Sequence, residues 1–546
     1  MRLLRVYIHG YRNLKNVEID FDVEALTTVL IGENGSGKSN LIEAIVEIFR
    51  AWTLGSQKEL KFKYSILYVI RGIKIQLRSD ESLAFDTETY PNLKTHILLD
   101  QEKTTKIPNP IVANPDEPED IVSSFFPDLI FGYYSGNGRR LETLFDDHQS
   151  RYYNVINKDR PEGDYDAARD ARRLFYCRPI HGVLALLSYL AKPGENRDAK
   201  ALLTEKLGIT GFHSALAHLK EPSWFSGSKI AASRETSRLW GAHGPAGQCA
   251  RALRETAFHP LAIEGTAVDD YRRKASKEAQ LACFLRNDKA LKKFAANYQT
   301  DQDMFAALEA TDISDLFREM IVWVTRTNDL SGDIGFSDLS DGERQLLMVL
   351  GLIRVSRGKE ALFLLDEPDT HLNPAWQLTY LDLIREWTEL ATDEDKCQII
   401  MTTHNPLTIA ALTAKEVRVM SSDDDGNIFI APPRIDPKGL GFAGVLTDIF
   451  GLSSSLDKPT QERIDRRNEL AKEEHLTPAM AKEFTDIKEE LRHLGFLYEE
   501  RDKLYSEFLR QLDSVERADV APLSPDELQA REAESRAIVE RLLKKA

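Results

Sequence analysis

The stretch Val29-Leu-Ile-Gly-Glu-Asn-Gly-Ser-Gly-Lys-Ser-Asn-Leu41 constrains this chain more than any other. A β-branched apolar run enters a glycine-rich loop, helix formers leave it, and Gly32, Gly37, Lys38 and Ser39 fill the G-x-x-x-x-G-K-[ST] pattern of a P-loop. Backbone N–H groups in such a loop, and the helix N-terminus behind it, offer partial positive charge to phosphate oxygens. Glycine is required because a Cβ would keep backbone and phosphate apart. The candidate phosphate cradle is therefore Gly32, Asn34, Gly35, Gly37, Lys38, Ser39 and Asn40, with Lys38 on the outer phosphates and the Ser39 hydroxyl on Mg²⁺. Lys38 is expected to face solvent, serving phosphate charge rather than packing.

A chain of 546 residues exceeds one ordinary core, so two or three compact regions are expected. Hydrophobic content of 42% with 29% charged residues is that of a globular protein. No window approaches the roughly 18 uninterrupted apolar residues of a membrane span, and Met1 leads straight into a strand, so a cytoplasmic protein is expected with no membrane partner. Cys177, Cys249, Cys283 and Cys397 form no C-x-x-C pair and read as reduced thiols. A net charge of −16 argues against a surface that coats nucleic acid throughout, while leaving room for local basic patches.

Along the chain, strands are expected at Leu3 to Ile8, Val17 to Phe21 and Leu26 to Ile31, then a helix from Asn40 to Trp52. Lys61 to Leu77 is strand-like and alternates around an Arg71-Gly72 hairpin turn, and Asp128 to Tyr134 forms an apolar strand ending in the polar turn Ser135 to Arg140. Residues 141 to 315 show few period-two runs and read as mostly helical, with helices at Pro179 to Leu190, Asp198 to Leu207, Tyr271 to Phe284 and Leu291 to Tyr298. An α/β pattern resumes with strands Met320 to Thr325, Ala361 to Leu365 and Gln398 to Thr402. From Ala479 to Val515 an apolar stripe runs through charged, helical sequence, suited to packing or to docking a partner. The expected class is α/β, with an ATPase domain at 1–140 and 318–450, a helical insertion at 141–317, and a charged helical tail at 451–546.

The wholly apolar run Leu362 to Leu365 ends in Asp366-Glu367, where one acid can hold metal beside Ser39 and the next can orient or deprotonate water. With this pair the sequence resembles the ABC-type ATPases, in the SMC/RecF/OLD-like branch that works on nucleic acids. Leu339-Ser-Asp-Gly-Glu343 looks like the ABC signature, Asp369-Thr-His-Leu372 sits where a dimer-contacting loop follows the catalytic glutamate, and His404 matches the switch histidine. The resemblance implies an ABC-type P-loop fold, ATP and Mg²⁺ as ligands, Asp366 on metal, and Glu367 and His404 as the catalytic pair. It further implies that Ser340 and Gly342 face the γ-phosphate held by a second copy in a head-to-tail dimer or higher oligomer. The signature departs from its commonest form at Asp341 and Glu343, and the family's Q-loop glutamine is left unassigned.

The insertion has no sustained heptads for chromosome-maintenance arms, no place in a transporter domain, and no nuclease motif of its own follows His404. Leu174-Phe-Tyr-Cys-Arg-Pro179 and Asp448-Ile-Phe-Gly-Leu-Ser453 resemble the ATPase subunit of Septu-type anti-phage systems, including forms that accompany retrons. That resemblance implies control of an HNH-type nuclease subunit, and, in the retron forms, association with a reverse transcriptase and its DNA. The alternative is a RecF/SMC-like repair ATPase that binds nucleic acid directly.

Overall fold

The computed structural model describes residues 1–83, 85, 96–101, 125–136, 138–192, 203–225, 238–266, 277–355, 359–391, 397–423, 426–452, 454, 456–473, 476–494 and 536–537. Residues 1–450 form one compact unit and 451–546 a second.

The first sheet has the order β2-β1-β4-β5-β6. Its strands are β1 (Arg2–His9), β2 (Val17–Asp20), β4 (Lys63–Ile70), β5 (Ile73–Arg78) and β6 (His96–Asp100). Arg71 and Gly72 both hold positive φ, 48° and 77°, as a two-residue hairpin turn demands.

The second sheet carries the P-loop: β3 (Thr27–Gly32), β7 (Leu129–Tyr134), β8 (Leu174–Tyr176), β14 (Ala361–Asp366), β15 (Cys397–Thr402), β16 (Val417–Ser422) and β17 (Ile428–Ala431). Their order is β17-β16-β3-β15-β14-β7-β8, parallel except for β17. Every residue of β3, β14 and β15 is buried, which is why apolar residues run consecutively through the middle of each rather than alternating. Along β14 the side chains alternate between two cores: Leu362 and Leu364 join α1 (Lys38–Leu54) and the first sheet, whereas Phe363 and Leu365 join the helical side. The register sets Asp366 opposite Thr402 on one side and Tyr134 on the other. The carboxyl ends of β14, β15 and β7 thus share one edge, where open α/β sheets place ligands.

The helical side comprises α2 (Asp146–Ile156), α3 (Glu162–Ala171), α4 (Pro179–Ala191), α5 (Gly244–Thr256), α6 (Asp288–Ala295), α7 (Asp301–Ile313), α8 (Asp341–Val355) and α9 (Pro374–Ala391). Residues 141–315 carry the helices α2 to α7, as expected, but they also contribute strands not expected from the sequence to a third sheet, wholly antiparallel, of order β10-β11-β9-β12-β13. It is built from β9 (Ile209–Lys220), β10 (Leu261–Thr266), β11 (Lys277–Leu285), β12 (Phe317–Arg326) and β13 (Asp329–Gly335). The expected helix Tyr271 to Phe284 is strand β11 over its described part, with Ala279, Leu281, Cys283 and Leu285 buried in alternation. Its Lys, Glu, Ala and Gln are helix formers in isolation, and pairing with β9 overrides that preference. Of the expected helix Asp198 to Leu207, residues 203–207 are described and helical.

In the second unit, α10 (Lys458–Lys472) and α11 (Pro478–His493) are joined by Arg463–Glu490 at 2.6 Å and Arg466–Glu483 at 2.9 Å. The stripe positions Tyr498, Leu504, Phe508, Leu512 and Val515 lie outside the described residues.

Gly132, in the middle of β7, shows how tightly the P-loop sheet is covered. A Cβ there would sit 2.3 Å from the Phe145 ring, which is itself buried. Gly132→Ala is expected to cost about 1–3 kcal/mol by overpacking and to lower the urea midpoint, with partial recovery when Phe145→Leu is added. An unchanged midpoint would contradict this packing.

Candidate nucleotide-binding and hydrolysis site

β3 ends at Gly32, where φ is +150° and an added Cβ would fall 2.2 Å from the Met420 carbonyl oxygen of β16. Strand packing alone therefore forbids a side chain here. Gly35 and Gly37 follow at φ +83° and +101°, in the left-handed region. Gly37 is the N-cap of α1, which has neither a side-chain cap bond nor an acid in its first turn. The first N–H groups of α1 are thus left as donors for an anion. Asn34 and Gly35 are exposed on the loop.

Lys38 corrects the expectation of a solvent-facing ammonium. It is 5% exposed, and its Nζ donates to the carbonyls of Gly32 and Glu33 at 2.9 Å each. The loop curls round its own lysine because those carbonyls need donors that the tight turn cannot supply. Burial lowers the Lys38 pKa, opposed by the charges of Glu367 and Asp366.

Those two acids stand at the end of β14. Asp366 is buried, accepts from Thr402 Oγ1 at 2.5 Å, and is hydrogen-bonded to the Ser39 side chain. Burial raises its pKa, and the Thr402 and Ser39 bonds oppose the rise. A hydroxyl and a carboxylate side by side form a hard-oxygen donor pair that suits Mg²⁺, which takes one or two protein ligands and fills the remainder with phosphate and water. Glu367 holds φ +54°, uncommon for a residue with a Cβ, and its N–H donates to Thr402 O at 3.2 Å and Oγ1 at 3.0 Å. This turn sets the Glu367 carboxylate 3.2 Å from His404 Nε2. Burial and the nearby Lys38 lower the His404 pKa, while the charges of Glu367 and Asp366 oppose the shift. Glycine loop, Lys38, Ser39, Asp366, Glu367 and His404 therefore meet at one sheet edge.

Ser340 and Gly342 occupy another place. Ser340 Oγ accepts from Glu343 N at 3.3 Å, and Ser340 N donates to Glu343 Oε2 at 2.8 Å, a capping box at the start of α8. The departure at Glu343 therefore has a structural role, reinforced by an ion pair with Arg326. At Gly342 a Cβ would lie 2.7 Å from His371 O, so the 369–372 turn packs directly on the signature. Among the described residues, neither Ser340 nor Gly342 is hydrogen-bonded to the P-loop of the same chain.

Several participants escaped the sequence. Asn13 donates to Gly35 O at 2.9 Å and also accepts from Asn40, while Arg140 reaches Asn40 and the buried Glu43. Arg12 pairs with the same Glu43 at 2.7 Å. Asp369, which the sequence did single out as the start of the dimer-contacting loop, is buried and accepts from Thr403 Oγ1 at 2.7 Å and Thr408 Oγ1 at 2.5 Å. The capping-box spacing of Ser340 and Glu343 was legible; the Asn13 and Arg140 contacts span 22 and 100 residues and leave no local signal.

Lys38→Met keeps the volume but removes the donors. Leaving two carbonyls unpaired costs about 1–3 kcal/mol of loop stability, and removing the charge-assisted bond to phosphate should weaken ATP binding by about tenfold to a hundredfold. Isothermal calorimetry showing unchanged affinity would contradict the placement of ATP on this loop.

Residues 1–161 match a family described as "AAA ATPase domain", and residues 256–410 one described as "AAA domain, putative AbiEii toxin, Type IV TA system". The Septu protein PtuA of Bacillus mycoides (strain KBAB4) is 30% identical over 127 residues, covering 22% of this chain and 17% of that protein. PtuA of Bacillus thuringiensis is 29% identical over 144 residues, covering 23% and 34%. The chain thus spans about a third of the length of these relatives at most. DNA replication and repair protein RecF of Myxococcus xanthus (strain DK1622) is 44% identical over 45 residues, 8% of this chain and 11% of that protein. Superposition on the SMC head domain from Thermotoga maritima covers 80% of this chain and all of the other at 13% identity, with a TM-score of 0.30, too low to bear on fold or function. Motif geometry and the two AAA family matches together mark the chain as a P-loop ATPase, similar over part of its length to PtuA and over a short stretch to RecF.

Proposed function

We propose that this chain is the ATP-binding and hydrolysing regulatory subunit of a cytoplasmic anti-phage defence complex, controlling a partner HNH-type nuclease. The observation that carries the reading is the meeting of Lys38, Ser39, Asp366, Glu367 and His404 at one sheet edge in a chain similar to PtuA. Lys38 and the loop N–H groups hold the phosphates of ATP. Ser39 and Asp366 would hold Mg²⁺, which when bound would supply positive charge against the phosphates. Glu367 orients the attacking water and takes its proton as the new phosphorus–oxygen bond forms and the bond to the β-phosphate breaks. His404 fixes the Glu367 carboxylate and, by its likeness to a switch histidine, would contact the γ-phosphate.

Ser340 and Gly342 serve the site of a second copy, so hydrolysis requires a head-to-tail dimer or a higher oligomer. Residues 1–140 and 318–450 act as the ATPase domain, 141–317 as its inserted lobe, and 451–546 as the docking region for a partner. In retron-associated forms the partner set includes a reverse transcriptase and its DNA. The short RecF likeness favours a second reading, a repair-type ATPase that acts on nucleic acid directly.

Glu367→Gln keeps size and the His404 contact but removes the base, so hydrolysis should fall about 100-fold or more while ATP still binds. Trapped ATP should then hold the partner nuclease in its restrained state, measured as loss of nucleic-acid cleavage by the purified complex. Cleavage that ignores ATP in both wild type and Glu367→Gln would overturn the regulatory reading and favour the repair-type one.

A further inference from the structure

Where α5 ends, the chain exposes an aromatic ring inside a basic frame. Phe258 is 50% exposed, although its N–H is fixed to Phe284 O at 2.8 Å. The Arg286 guanidinium lies 5.0 Å from the ring centroid, and the His259 ring meets it edge-on at 4.6 Å and 71°. His259 holds φ +50° directly before Pro260, an uncommon backbone state that the fold maintains at this corner.

α6 runs alongside. Lys293 Nζ reaches the Glu255 carbonyl oxygen at 3.5 Å, tying the helix to the end of α5. Leu291, Phe294 and Ala295 are buried, so Lys289, Lys292 and Lys293, three and four residues apart, share the exposed face. Arg254 and Arg286 add to them, and within the described stretches 251–259 and 286–295 the acids are Glu255 and Asp288, the latter already paired with Lys292 at 2.5 Å. Cations therefore outnumber acids here, in a chain whose net charge is −16. Such a local reversal of sign, centred on a flat apolar ring, suits a polyanion that carries its own exposed ring faces.

We propose that this surface binds single-stranded nucleic acid, with a base stacked on Phe258 and the backbone phosphates against Arg286 and the α6 lysines. A duplex satisfies the cations but keeps its base faces hidden, which leaves the exposed ring without a partner. The sugar–phosphate strand needs no sequence-specific contact, since every base has a π face. This surface lies outside the nucleotide site and does not depend on the assignment of a nuclease partner.

The test is fluorescence anisotropy of the full chain with labelled oligothymidylate of about 20 nucleotides, against a duplex of the same length at low salt. Single strands should bind more tightly than duplex. Phe258→Ala should weaken binding by about fivefold or more, and Phe258→Trp should restore it with quenching of the new indole. Lys292→Glu with Lys293→Glu should weaken binding further and reduce the logarithmic salt slope by about 0.7 for each phosphate that is no longer neutralised. All three variants should bind ATP as wild type does, because these residues are remote in function from Lys38. Absence of single-strand binding, equal binding of duplex with no effect of Phe258→Ala, or displacement by polyglutamate as readily as by unlabelled oligothymidylate would overturn the proposal; the last result would mark an acidic protein partner instead.

Discussion

The structure depends on the pairing of β14 with β15, which sets Asp366 level with Thr402. One threonine then does three things: its hydroxyl donates to Asp366, and its hydroxyl and carbonyl oxygens both accept from the Glu367 N–H. A slip of one residue would send every side chain of β14 to the opposite face, exchange its contributions to the two cores, and remove Asp366 from Ser39. Burial on both faces makes such a slip costly, so a site with sub-ångström requirements rests on an apolar core that has no chemistry of its own.

From that edge a connected set of contacts runs towards the signature helix. Asp369 accepts from Thr403 and Thr408 beside His404, and the same turn presents His371, whose N–H meets the buried Gln345 side chain at 3.3 Å while its carbonyl closes on Gly342. α8 in turn crosses α4 closely: a Cβ on Gly182 would lie 2.6 Å from Met348, and one on Gly351 the same distance from Ala185. A change at the His404 end of the site therefore has a continuous packed route to α4, through elements too tightly packed to deform gradually.

Much of this was legible in the sequence because the site lies where local pattern and chemistry coincide. Strong apolar runs marked β3, β14 and β15, and the residues at their ends announced a phosphate site through spacing alone. Strands β9 and β11 were missed for the opposite reason: they are rich in small or polar residues such as Ala215, Ala217, Ala279 and Gln280, whose preferences are not those of strands, and only cross-strand pairing commits them to the sheet. Lys38 was placed in the right motif but the wrong environment, since nothing in a linear pattern shows which carbonyls will lack donors once the loop closes. Asn13 and Arg140 were invisible because their roles arise from contacts far apart in the chain.

The central claim is that Ser340 and Gly342 complete the site of another copy rather than their own. Mixing Lys38→Ala protein, defective in holding phosphate, with Ser340→Arg protein, whose side chain obstructs the facing nucleotide, measures this directly. Each variant alone should be inactive, yet the mixture should regain part of the wild-type ATP hydrolysis, because one of the two sites in a mixed dimer combines an intact loop with an intact signature. A mixture as inactive as its components, under conditions where subunit exchange is verified, would contradict the shared site.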